Sequence, residues 1–131
     1  MKSKTEIRIH LVYTFKNNEQ EEDIKRFLGS HGLEDFKYWK PKMGHQEAIS
    51  PAIIMETRCA EDVMSEFLSI YSQKVDLLNL LAEAYDGDFA LTFDVDMYKK
   101  QSPQLRINRK FLNFLFTLKN FSDIDIDECI Y

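Results

Sequence analysis

Three stretches of this chain alternate apolar and polar residues with a period of two, and each gathers its charge on one side. In Glu6–Phe15 the apolar set is Ile7, Ile9, Leu11, Tyr13 and Phe15, against Glu6, Arg8, His10, Val12 and Thr14. In the segment from Phe89 to Tyr98, Phe93, Val95 and Met97 oppose Asp94, Asp96 and Tyr98. The chain closes on DIDIDECIY, where Asp123, Asp125 and Asp127 alternate with Ile124 and Ile126. A strand directs successive side chains to opposite faces, so this spacing predicts strands with one buried face and one wet face. That constraint excludes a doubly wound sheet, whose strands are apolar on both sides.

Between these strands the period changes to that of helices. Ile24, Phe27 and Leu28 form a short stripe, with Asn18 as the expected N-cap, Glu21 completing a capping box, and Gly29 and Gly32 at the end. A longer 3-4 rhythm runs from Met64 through Phe67, Tyr71, Leu78 and Leu81 to Tyr85, with a break expected near Ser72. Asp86-Gly87-Asp88 is a turn signal. Asn108 offers a cap for a helix holding Phe111, Leu112, Leu115, Phe116 and Leu118. Two weaker segments complete the reading. FKYWKPKMG (36–44) is a short strand or extended loop ending at Pro41. Ala52 to Cys59 is a strand with Ile53, Met55, Thr57 and Cys59 inward and Ile54, Glu56 and Arg58 outward. The expected architecture is α+β, one domain over residues 1–131. It is a two-layer sandwich with a mixed, largely antiparallel sheet of four or five strands, helices on one face and an open polar face on the other.

Composition narrows the function classes. Seventeen basic against 22 acidic side chains give a net charge of −5. Nucleic-acid binders draw affinity from phosphate neutralisation and need a basic surface, so no nucleic-acid partner is expected. The start, MKSKTEIRIHLVYTF, lacks the apolar core and cleavage site of a signal peptide, and no segment has the apolar length of a membrane span. A cytoplasmic location follows as the expectation. Cys59 and Cys129 form no CxxC and read as reduced thiols.

The aspartate triplet invites a metal reading. D-x-D-x-D opens a calcium loop, but that loop requires glycine at its sixth position and glutamate at its twelfth. Here the sixth residue is Glu128 and the sequence stops at the ninth. The strand reading explains the spacing instead, with Asp94 and Asp96 in equivalent positions on another strand. By parity Glu128 falls on the apolar side. His10, His31 and His45 make no HxxxH or HExxH pattern, no G-x-S-x-G or phosphate-binding glycine loop occurs, and neither cysteine is placed as a nucleophile. No catalytic residue, metal site or cofactor is expected. Trp39 sits in a basic-aromatic stretch, KYWKPK, and reads either as the end of the core or as an anchor for a ligand or partner.

Five segments together resemble a family of small stand-alone bacterial proteins classified only as a domain of unknown function. They are FLG (27–29), YWKPKMG (38–44), LLNLLAEAYDGDFALTFDVDMY (77–98), SPQLRINRKFLNFL (102–115) and DIDIDECIY. The resemblance spans nearly the whole chain. It departs at Gly29, which is followed by Ser-His-Gly rather than by an apolar residue. It implies an α+β domain in a bacterial cytosol, and no reaction.

The leading functional expectation is a non-catalytic binding domain. Its surface is the acidic sheet face of Asp94, Asp96, Asp123, Asp125 and Asp127, with Arg8 and Arg58, and its partner is a basic protein, as in an immunity-type inhibitor of a basic toxin. The alternative is a small-molecule or metal sensor, or a minor enzyme, with a pocket near Trp39, His10 and Glu56. A third reading is a homodimer through the exposed sheet. The bland outcome is a solvated face whose charges prevent edge-to-edge association.

Overall fold

A computed structural model describes residues 4–40, 45–101 and 103–130. The expected end of the aromatic segment at Pro41, with Lys42 and Gly44, falls outside those residues, as do Ser102 and the terminal Tyr131. The Asn18 side chain, on which the expected capping box rests, is likewise outside the description.

One mixed sheet runs through the molecule. Its strands are β1 (Glu6–Phe15), β2 (Lys37–Trp39), β3 (Gln46–Ile49), β4 (Ile53–Glu56), β5 (Asp88–Met97) and β6 (Phe121–Ile130). Their order is β2-β3-β1-β5-β6, with β4 also pairing β1. The long β1 organises the rest. On one flank its first half takes β4 and its second half takes β3, while β5 lies antiparallel along the other flank. β6 pairs with β5 in parallel and forms an edge. A parallel pair needs a crossover, which residues 98–120 supply with one helix.

Among the described residues the α-helices are α1 (Glu21–Ser30), α2 (Ala60–Tyr71), α3 (Val75–Tyr85) and α4 (Arg109–Thr117). They cover one face of the sheet. Ile7, Ile9, Leu11, Tyr13 and Phe15 of β1 and Phe89, Leu91 and Phe93 of β5 are buried with Ile24, Leu28, Phe67, Leu81 and Phe111 of the helices. Phe111 bridges the layers edge-on, 6.1 Å from the Phe93 ring and 5.4 Å from the Phe67 ring. Asn108 caps α4, its side chain accepting from the Phe111 N–H at 2.9 Å. The helical rhythm does break near Ser72, between α2 and α3.

The α+β sandwich with one open face is the architecture the alternation implies. Four details depart from the expectation. Among the described residues the sheet has six strands, because Gln46–Ile49 is a strand that its sequence conceals. Gln46 points a polar side chain into the core and breaks the apolar alternation. The strand expected over Ala52–Cys59 is shorter, ending at Glu56. Of the isoleucines in the last strand, only Ile124 is among those packed against the core. Ile126 and Ile130 are 45% and 67% exposed. Phe116 of α4, expected among the helix's apolar residues, is 74% exposed.

Candidate functional site

The open face is a grid whose rows are set by the strand register. The first row reads Glu56, Glu6, Asp96, Cys129 across β4, β1, β5 and β6. The second reads Ile54, Arg8, Asp94, Asp127. The third places His10, Thr92 and Asp125 side by side, and the fourth Ile49, Val12, Ala90 and Asp123. A fifth adds Glu47, Thr14 and Asp88. The aspartates of β5 and β6 therefore do share one face, and Asp94 lies directly opposite Asp127. Glu47 and Asp88 join them without having been expected. Glu47 was hidden by the concealed strand, and Asp88 read as part of a turn although it opens β5.

This surface forms a shallow concavity of about 470 Å³. His10, Thr92, Asp94, Asp123, Asp125 and Asp127 line it, together with Glu47 and Asp88. Its charge is unevenly compensated. Arg8 reaches Asp96 at 3.1 Å and Glu6 at 3.2 Å, and His10 Nδ1 lies 3.8 Å from Asp94. Asp96, expected as a solvated surface carboxylate, is 6% exposed and belongs to the Arg8 pair. Among the described residues none of Asp123, Asp125 and Asp127 has an ion-pair partner; all three are exposed. Ser122 donates a hydrogen bond to Asp123 at 3.3 Å.

A one-residue irregularity aims the triplet. Phe89 pairs with Phe121, but Ala90 pairs with Asp123, so Ser122 is an extra residue in β6. Its hydroxyl donates to the Phe89 carbonyl at 3.1 Å. A bulge of this kind shifts the alternation by one. Phe121 consequently packs against the core, while Asp123, also odd-numbered, turns to the open face.

The other expected site residues are dispersed. Arg58 lies beyond the end of β4, in the bend leading to α2, where its carbonyl accepts from the Gln104 N–H at 2.6 Å. Trp39, His10 and Glu56 all belong to the open face, but at separate levels. Trp39 pairs with Glu47 on the outer strands, His10 is central, and Glu56 pairs with Glu6 at the other end. The concavity includes His10 but neither Trp39 nor Glu56. Trp39 is 55% exposed, so it does not close the core.

The geometry limits the chemistry. Alternate residues on a strand are about 7 Å apart. A bound divalent ion holds oxygens at about 2.0–2.6 Å, so neighbouring carboxylates of one strand cannot share it without rearrangement. Among the described residues no three His, Cys, Asp or Glu side chains are grouped to hold a metal ion. Cys59 and Cys129 are free thiols, Cys129 exposed and Cys59 half-buried. No helix among the described residues is long and apolar enough to cross a membrane. No family model, curated protein or solved structure matches this chain.

Proposed function

We propose that this protein is a non-catalytic binding domain whose acidic open face receives a basic protein. One observation carries the reading: Asp123, Asp125 and Asp127 stand exposed in a row, without ion-pair partners among the described residues, beside an Asp94 that is directly opposite one of them. Like charges opposite one another cost stability, and a cationic surface relieves that cost. A concave sheet is also a broad surface rather than an enclosed cleft, which suits a macromolecule better than a small substrate. An immunity-type role, in which the acidic face covers the cationic site of a basic toxin, is the concrete form of the proposal. Membership of the small bacterial family described above, and a cytoplasmic location, belong to the same proposal.

The test is affinity capture from a lysate of the source organism at low and high salt, comparing the wild type with the Asp94→Lys/Asp125→Lys double variant. The wild type retains a basic protein in a salt-sensitive way. The double variant loses it, with an association rate reduced by about tenfold or more. Retention of the same protein by both chains, independent of salt, would overturn the proposal.

A further inference from the structure

The outer edge of β6 is where the acidic face, an exposed apolar row and unpaired backbone meet. β6 is a ten-residue strand that, among the described residues, has a neighbour on one side only. Every second residue of such an edge directs its N–H and C=O outward, ready for another strand. Of the devices that blunt an edge, β6 carries acidic charge and a bulge at its start, but it is long and contains neither proline nor lysine. By contrast, the opposite edge, β2, has three residues, one of them Lys37. The two faces of β6 differ in character. Asp123, Asp125 and Asp127 project to the open side, while Ile126 and Ile130 stand exposed on the helix side.

This pattern discriminates between occupants. A second copy of the chain would add by two-fold symmetry, antiparallel and on the same sheet face. Aspartate would then stand opposite aspartate along the whole triplet, an arrangement that disfavours pairing. A strand with the opposite charge reverses the sign of each of those contacts. We infer that β6 is an acceptor edge, and that the basic partner adds to it an extended segment with Lys or Arg at every second position and apolar residues between. The basic residues meet the aspartates on the open face, and the apolar residues cover Ile126 and Ile130. Main-chain hydrogen bonds supply affinity in such strand addition, and alternate side chains supply specificity. This rests on the acidic-face reading and specifies how the partner is held.

The probe is an eight-residue peptide of alternating Lys and Val. Its controls are a peptide of the same composition in blocks, and the alternating peptide N-methylated at every second residue on its edge-pairing side. The whole protein is used, with binding read by fluorescence anisotropy and β6 amide exchange read by NMR. The alternating peptide is expected to bind about tenfold more tightly than the block peptide, as several cross-strand charge pairs add up. It should slow exchange at outward-facing amides within residues 123–130, and the N-methylated peptide should lose both effects. Equal binding of the N-methylated peptide overturns strand addition and leaves the acidic-face reading standing. Failure of the alternating peptide to bind also overturns strand addition, and the acidic-face reading then rests on the Asp94→Lys/Asp125→Lys comparison alone.

Discussion

At the scale of single residues, the Tyr13 hydroxyl ties three elements together. It donates to the Leu81 carbonyl in α3 and accepts from the Gly87 N–H at the start of β5, both at 3.0 Å. Gly87 is what allows this approach. A Cβ there would lie 2.3 Å from the Tyr13 ring and 2.6 Å from the Thr14 carbonyl, so Gly87→Ala must displace backbone. Tyr13→Phe keeps the ring but removes the hydroxyl that pairs with the buried Gly87 N–H and bonds the Leu81 carbonyl. It is expected to lower unfolding free energy by about 1–3 kcal/mol in urea titration, and Gly87→Ala by at least about as much. Burial pushes the Tyr13 phenol up from its usual 10.0 to about 12, with Asp86 and Asp88 adding to the rise and the Gly87 hydrogen bond opposing it. Tyr38 is likewise raised to about 12, chiefly by burial. Between these limits the unfolded chain has released the proton while the folded chain retains it. The stabilisation is therefore fully present below pH 10 and is lost as pH rises toward 12. Melting curves from about pH 9 upward should show a steep fall in Tm, and the fall should be shallower in Tyr13→Phe, which has no phenol to titrate there. An equal slope in both proteins would remove Tyr13 from this account.

At the scale of elements, β6 shows how far alternation can be trusted. The pattern DIDIDECIY predicts a strand and identifies its polar side, and both hold. The burial of its isoleucines was not legible, because it depends on which helix lies above the edge, and nothing within the strand encodes that. The bulge was equally hidden. Phe121 and Asp123 have the same parity, so a regular strand would put them on one face. Only the pairing with β5 reveals that Ser122 separates the phenylalanine in the core from the aspartates outside. Similarly, Gln46 and Ala48 give β3 too little apolar signal to be recognised, although both are buried opposite β1. The long strands and the capped α4 were readable because their own residues specify them. The short strands depend on partners distant in sequence. Deleting Ser122 tests the role assigned to the bulge. With the extra residue removed, the register must either withdraw Phe121 from the core or turn three aspartates toward the helix side. Either outcome should cost about 3 kcal/mol or more, on the scale of removing a buried phenylalanine. Ser122→Ala, which retains the count of residues and loses only the hydroxyl's contacts with the Phe89 carbonyl and Asp123, should cost only about 1 kcal/mol. Similar losses in the two variants would show that residue count does not set the parity.

At the scale of the whole molecule, the charge distribution is expected to control association. The net charge of −5 is modest, but much of the acidity is gathered on one sheet face and along its exposed edge. An edge strand of ten residues with exposed isoleucines is a template for pairing with another copy. The aspartates oppose that pairing, because two-fold addition brings each triplet against its own image. Removing the charge while preserving shape should therefore release self-association. The Asp123→Asn/Asp125→Asn/Asp127→Asn variant is expected to dimerise at concentrations where the wild type sediments as a monomer, and its β6 amides should become protected as it does so. High salt should move the wild type in the same direction, since exposed charges are screened over about 10 Å at 0.1 M salt and over less above it. Substitution by lysine at the same three positions separates the two contributions. Like charge is restored with the opposite sign, so that variant should remain monomeric. If the asparagine variant stays monomeric across these conditions, the carboxylates are not what keeps the edge unpaired, and the isoleucines of β6 are too well hydrated to drive strand addition by a second copy.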